Sequence, residues 1–83
     1  MINYSYDFSS RFAKRFNKLD HTFQIKAEKQ INKIIENPFI GKPMKNNRKG
    51  TREVYLSPFR ISYYIDNDDA MIYFLNIYHK DEQ

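Results

Sequence analysis

Both glycines and two of the three prolines of this chain fall between Asn37 and Gly50, and they divide it into two halves of different rhythm. Gly and Pro break regular structure, so this stretch reads as a loop. Before it, Phe8, Phe12, Phe16 and Leu19 recur at steps of four, four and three, which lines them up on one helical face. Arg11, Lys14, Arg15 and Lys18 fall outside that stripe. Asp7, Ser9 and Ser10 offer N-caps ahead of it. A second helix is expected from Asp20 or His21, with Phe23, Ala27, Ile31, Ile34 and Ile35 on its apolar side. It stops at Asn37, because the residue before a proline is pushed out of helical geometry. Two amphipathic helices separated by so few residues make an αα-hairpin.

The ends of the chain alternate instead. Ile2, Tyr4 and Tyr6 share one parity, which predicts a short first strand. After the loop, Thr51 to Leu56 reads as a strand and Ser57-Pro58 as a turn. Phe59 to Ile65 is the next strand, with Phe59, Ile61, Tyr63 and Ile65 set against Arg60, Ser62 and Tyr64. Asp66-Asn67-Asp68-Asp69 has turn chemistry. Ala70 to Tyr78 is apolar except at Asn76, as a strand buried on both faces would be. The expected fold is α+β, in the order β-α-α-β-β-β. The helical hairpin packs on one face of an antiparallel sheet, and Arg60 points to the other.

With 83 residues, one domain spans positions 1–83. Its own core is marginal, and a bound partner would stabilise it. Seven Tyr and seven Phe supply large buried areas from few positions. Without cysteine there is no disulfide, thiolate metal site or thiol nucleophile. No metal-ligand cluster or phosphate-binding glycine loop stands out, so no cofactor is expected. The N-terminal residues lack the basic and apolar regions of a signal peptide, and no apolar run reaches membrane-spanning length. A cytoplasmic protein without a membrane partner is the expectation. The net charge of +4 suits RNA, DNA or an acidic protein. Most of the basic residues lie between Arg11 and Arg52, while acids gather at Asp66–Asp69 and Asp81-Glu82.

Beyond the element order, particular residues resemble the RelE/ParE superfamily of toxins from type II toxin–antitoxin pairs. They are Phe16-x-x-Leu19, the Asn37-Pro38-Phe39-Ile40-Gly41 exit from the second helix, the strand Arg52-Glu53-Val54-Tyr55-Leu56, Phe59-Arg60-Ile61-Ser62-Tyr63-Tyr64, and Ile77-Tyr78-His79-Lys80. The likeness covers almost the whole chain. It implies a toxin neutralised by a cognate antitoxin, an acidic segment laid against the apolar and basic surface. In the RelE, YoeB and YafQ branches it implies a ribosome-dependent endoribonuclease that cuts mRNA and stops translation. In the ParE branch it implies inhibition of DNA gyrase without catalysis.

RNA cleavage without a metal needs a base for the 2′-hydroxyl proton, an acid for the leaving oxygen and a cation for the phosphate. The resemblance matches Arg60 to the family's phosphate-binding arginine and His79 to a late-strand acid or base. Arg60 reads equally as a cross-strand ion pair with Glu53, and His79 as an idle strand-end histidine. Arg52 and Lys80 are phosphate contacts or edge charges that discourage aggregation. Tyr55, Tyr64 and Tyr78 are stacking platforms for bases or simple strand formers. Lys42 and Lys45 follow ribosomal RNA or belong to a solvated basic face. Glu53 is a base or a solvated carboxylate.

Overall fold

The computed structural model describes residues 3–44 and 50–82. Strand β1, Ser5–Phe8, leads into helix α1, Ser10–Lys18, and helix α2, His21–Glu36. A 3₁₀ turn over Pro38–Ile40 precedes the short strand β2, Lys42–Pro43. Strands β3 (Thr51–Leu56), β4 (Phe59–Asp66) and β5 (Met71–His79) follow, and Lys80–Glu82 forms a closing 3₁₀ turn. Ile2, at the start of the expected first strand, lies outside the described residues.

The helices begin where the side chains offer caps. Ser9 Oγ accepts from Phe12 N at 3.0 Å and donates to the Leu75 carbonyl at 2.7 Å, so one hydroxyl caps α1 and ties it to β5. Asp20 caps α2 by accepting from Phe23 N at 2.9 Å. Such a cap contributes about 1 kcal/mol. Asn37 ends α2, and its side chain starts the next turn by accepting from Phe39 N.

The sheet order is β1-β5-β4-β3-β2. The expected antiparallel sheet is in fact mixed: β3, β4 and β5 form the meander, but β1 lies parallel to β5, pairing Ser5 with Met71 and Phe8 with Phe74. The helical hairpin returns the chain across the sheet, and β1 takes the open edge of β5. Ala70, with φ of 51°, aims its carbonyl at Ser5 N, 2.9 Å away, at the start of this pairing.

Both helices cover one face. Phe12, Ala27, Ile31 and Ile34 bury against Val54, Ile61, Tyr63, Ile65, Ile72, Phe74 and Ile77. Phe74 stacks on Phe8 at 5.1 Å and meets Tyr63 at 6.1 Å. The other face stays uncovered among the described residues. β5 is therefore buried on one side only, with Tyr73 exposed on the other, against the expectation of burial on both. Between Ser62 and Tyr63 the β4–β5 register shifts, so Leu75 is an extra residue on β5. The core residues of β5 change parity there, from Ile72 and Phe74 to Ile77.

Candidate functional site

The uncovered face is built in rows, because paired residues on neighbouring strands point the same way. Tyr55, Arg60 and Tyr78 make one row across β3, β4 and β5. Lys42, Glu53, Ser62 and Asn76 make the next. Thr51, Tyr64, Tyr73 and Asp7 make a third, reaching β1.

The first two rows are joined through Glu53. Its Oε1 lies 2.7 Å from Arg60 Nη1, and its Oε2 accepts from the Tyr78 hydroxyl at 2.7 Å. The Arg60 guanidinium also sits 5.7 Å from the centre of the Tyr55 ring. Tyr55 itself is about half exposed. Burial, then the Glu53 carboxylate that holds its proton, pushes the Tyr78 phenol up to about 12. Two buried polar atoms on this face, Arg60 Nε and Asn76 Oδ1, have no hydrogen-bond partner among the described residues.

The structure separates Arg60 from His79. His79 pairs with Phe59, not with Arg60, and so belongs to the helix-covered side. Its ring meets Phe59 edge-on at 5.8 Å, and its Nδ1 lies 3.5 Å from an Asp81 carboxylate oxygen. The two residues expected to share catalysis thus stand on opposite faces at the end of the sheet. Arg52 also leaves the open face. Its Nη1 donates to the Gly41 carbonyl at 2.7 Å, and its guanidinium lies 5.2 Å from the centre of the Phe39 ring. There it clamps the turn after α2. Lys42 is exposed at the outer end of the Glu53 row, and Lys80 is exposed just past β5. Lys45 lies outside the described residues.

The turn clamped by Arg52 is fixed from the core by Tyr63. Its hydroxyl donates to the Pro38 carbonyl at 2.6 Å and accepts from Gly41 N at 3.0 Å. Burial, the dominant cause, raises the Tyr63 pKa. Gly41 is required here because a Cβ would collide with that hydroxyl.

Sequence reasoning weighed Glu53 and Tyr64 but did not make either a site residue, and it left out Tyr73, Asn76 and Ser62. Strand parity does place Glu53 beside Arg60 once the Ser57-Pro58 turn fixes the pairing. The place of Tyr73 and Asn76 depends on the extra residue at Leu75.

Comparison with known proteins agrees with this architecture. RelE from the intact E. coli RelBE toxin–antitoxin complex superposes with a TM-score of 0.81 at 21% identity, over 92% of this chain and 95% of that one. The isolated E. coli RelE toxin gives 0.83 at 20% identity, over 96% and 87%. A chain of the E. coli DinJ-YafQ toxin–antitoxin complex gives 0.80 at 13% identity, over 96% of each chain. No curated protein matches the sequence. The sequence model of the ParE toxin of type II toxin–antitoxin systems, parDE, matches residues 6–83. Nearly the whole chain is covered by that match, and the protein belongs to the ParE toxin family, within the RelE/ParE superfamily of type II toxin–antitoxin toxins.

Proposed function

We propose that this toxin is a ribosome-dependent endoribonuclease that cuts mRNA and that the RNA lies on the open face of the sheet. The observation that carries this reading is the Arg60–Glu53–Tyr78 cluster, set among tyrosines on a face that no helix covers among the described residues. Open strands with aromatics and arginine suit single-stranded RNA, whose bases stack and whose phosphates need a cation.

Metal-independent chemistry follows from the groups present. Arg60 takes the scissile phosphate and steadies its charge. Glu53, freed as Arg60 turns to the phosphate, accepts the 2′-hydroxyl proton; the 2′-oxygen bonds to phosphorus as the P–O5′ bond breaks, and the leaving 5′-oxygen takes its proton from water at this open face. Tyr78 keeps its proton at neutral pH and hydrogen-bonds to Glu53 in the resting state. His79, around the end of β5, contacts the flanking strand of RNA together with Lys80. Tyr55 stacks on a base next to Arg60, and Lys42 meets the backbone from the Glu53 row. Arg52 acts indirectly by holding the turn.

The antitoxin partner is an acidic segment seated in the groove between β1 and the two helices. This groove, about 380 Å³, is lined by Tyr6, Phe8, Phe12, Phe16, Ile31 and Ile35. Arg11 and Lys14 are exposed on α1 beside it. RelE crystallised with an antitoxin supports such a partner by likeness of fold.

A second reading, inhibition of DNA gyrase, is favoured by the ParE sequence model and by the ion pair that already engages Arg60. Mapping RNA 5′ ends soon after induction decides between them. Cuts within codons that vanish in Arg60→Ala support the nuclease. Intact mRNA with a DNA-damage response supports gyrase.

A further inference from the structure

The third row of the open face differs from the Arg60 cluster in shape and charge. Asp7, Tyr73, Tyr64 and Thr51 line a cavity of about 570 Å³ with Leu75, Phe8 and Ser9. The Tyr64 and Tyr73 rings lie 6.3 Å apart and only 29° from coplanar, so they form one aromatic floor. Asp7 stands at its rim, with one oxygen accepting from Phe8 N at 2.8 Å. Among the described residues, no lysine or arginine lines the cavity. Asp66 ends β4 just beyond, and Asp68 and Asp69 follow in the turn.

This charge pattern separates phosphate from base. The acidic end repels a phosphate, while Arg60 attracts one two rows away, about 13 Å along β4. Between them lies Asn76, whose buried Oδ1 has no partner among the described residues. A carboxylate at the rim of an aromatic floor accepts in-plane N–H groups from the edge of a flat ring stacked on that floor. Among RNA bases, guanine alone offers two adjacent donors, N1–H and the N2 amine, that match two carboxylate oxygens.

We propose that this cavity is a nucleobase pocket that selects guanine at a fixed distance from the cut, with Tyr64 and Tyr73 stacking the base and Asp7 reading its edge. The pocket rests on the RNA-cleaving reading above.

The test is 5′-end mapping in cells making the wild-type chain, Asp7→Asn or Tyr73→Leu. It is paired with binding of labelled, fully 2′-O-methylated pentaribonucleotides whose central residue is G, inosine, A, C or U. Wild type is expected to prefer G about tenfold over A, C and U, the size of a good paired base contact. Inosine, lacking the N2 amine, should fall between. Asp7→Asn should erase the preference and flatten the base bias at one position near the cuts, while cutting continues. Tyr73→Leu should weaken binding of every oligomer about tenfold, as loss of a stacking ring does. Equal binding of all bases, or a G bias that survives Asp7→Asn, overturns the pocket and leaves the nuclease standing. Absence of both cuts and oligomer binding overturns the two together. An isosteric change at exposed Asp7 leaves the fold intact, and circular dichroism of each variant checks that.

Discussion

The two faces of this one sheet share tyrosine and place it in opposite settings. On the covered face, Tyr63 sits fully buried, its hydroxyl fixed between Pro38 and Gly41, within a shell of Phe and Ile. On the open face, Tyr55, Tyr64, Tyr73 and Tyr78 stay partly exposed around an ion pair. A tyrosine turned inward ties a loop to the core. A tyrosine turned outward leaves its ring or its proton available to a ligand. Under the proposed function, stability and activity divide by strand parity, so substitutions at neighbouring positions should fall into different classes.

The largest effect belongs to the covered face. Phe74→Ala removes a ring in contact with Phe8, Phe12 and Tyr63. Its loss should cost about 3–5 kcal/mol. A domain of this length has roughly 4–12 kcal/mol in all. Urea unfolding should find this variant largely unfolded or shifted to a far lower midpoint. A midpoint near wild type would mean that the helices do not hold the sheet through Phe74.

Next comes Tyr63→Phe, which keeps the ring and deletes one oxygen. It leaves the Pro38 carbonyl and Gly41 N–H without their partner, at a cost of about 1–3 kcal/mol. Gly41→Ala should destabilise through the same hydroxyl, by collision instead of loss. Combined with Tyr63→Phe, it should cost less than the two separate losses added, because the nearest obstructing oxygen is gone and only the Glu53 carbonyl, 2.9 Å from the new Cβ, and the ring edge remain. Strict additivity in urea midpoints would break the account of this turn.

Much of the covered face was legible in the sequence. The spacing of Phe12 and Phe16, the Ser9 cap and the strand Thr51–Leu56 all appear where the residues predict them. These features rest on local periodicity and local hydrogen bonds. The open face was less legible because it depends on how distant strands pair. Arg60 and His79 each carry a chemical signal, but their faces are set by the β4–β5 register. The trace of that register was present: Ile72 and Phe74 share one parity and Ile77 the other, and His79 follows Ile77 onto the covered side. The parallel placement of β1 likewise follows from where the helical hairpin returns the chain, which no local pattern encodes.

On the open face the effect on folding should be smaller and the effect on activity larger. Arg60→Ala breaks an ion pair whose side chains are 32% and 21% exposed. Solvent screens such a pair, so unfolding should change by about 1 kcal/mol or less. Under the proposed function, by contrast, RNA cutting should fall on the order of 100-fold or more as the phosphate loses its cation. A variant that loses both stability and activity to the same degree would show that Arg60 is structural.

The smallest effect at neutral pH, and the sharpest test of the contrast, is Tyr78→Phe. Tyr78 has its pKa raised from 10.0 to about 12, first by burial and then by Glu53. A raised folded-state value means the native protein holds this proton more tightly than the unfolded chain does. The stability it contributes is present below about pH 10 and is lost as pH rises through about 12. Unfolding midpoints of wild type and Tyr78→Phe should therefore follow different slopes between those pH values. Absorbance titration of the seven tyrosines should show a late phenolate that disappears in Tyr78→Phe. In Glu53→Gln it should move only part of the way down, since burial remains when the carboxylate goes. Tyr63 also titrates late, by burial, and should be untouched by either substitution. If Tyr78 ionises with the exposed tyrosines, the Glu53 carboxylate does not hold its proton, and the open-face cluster is looser than its 2.7 Å contacts indicate.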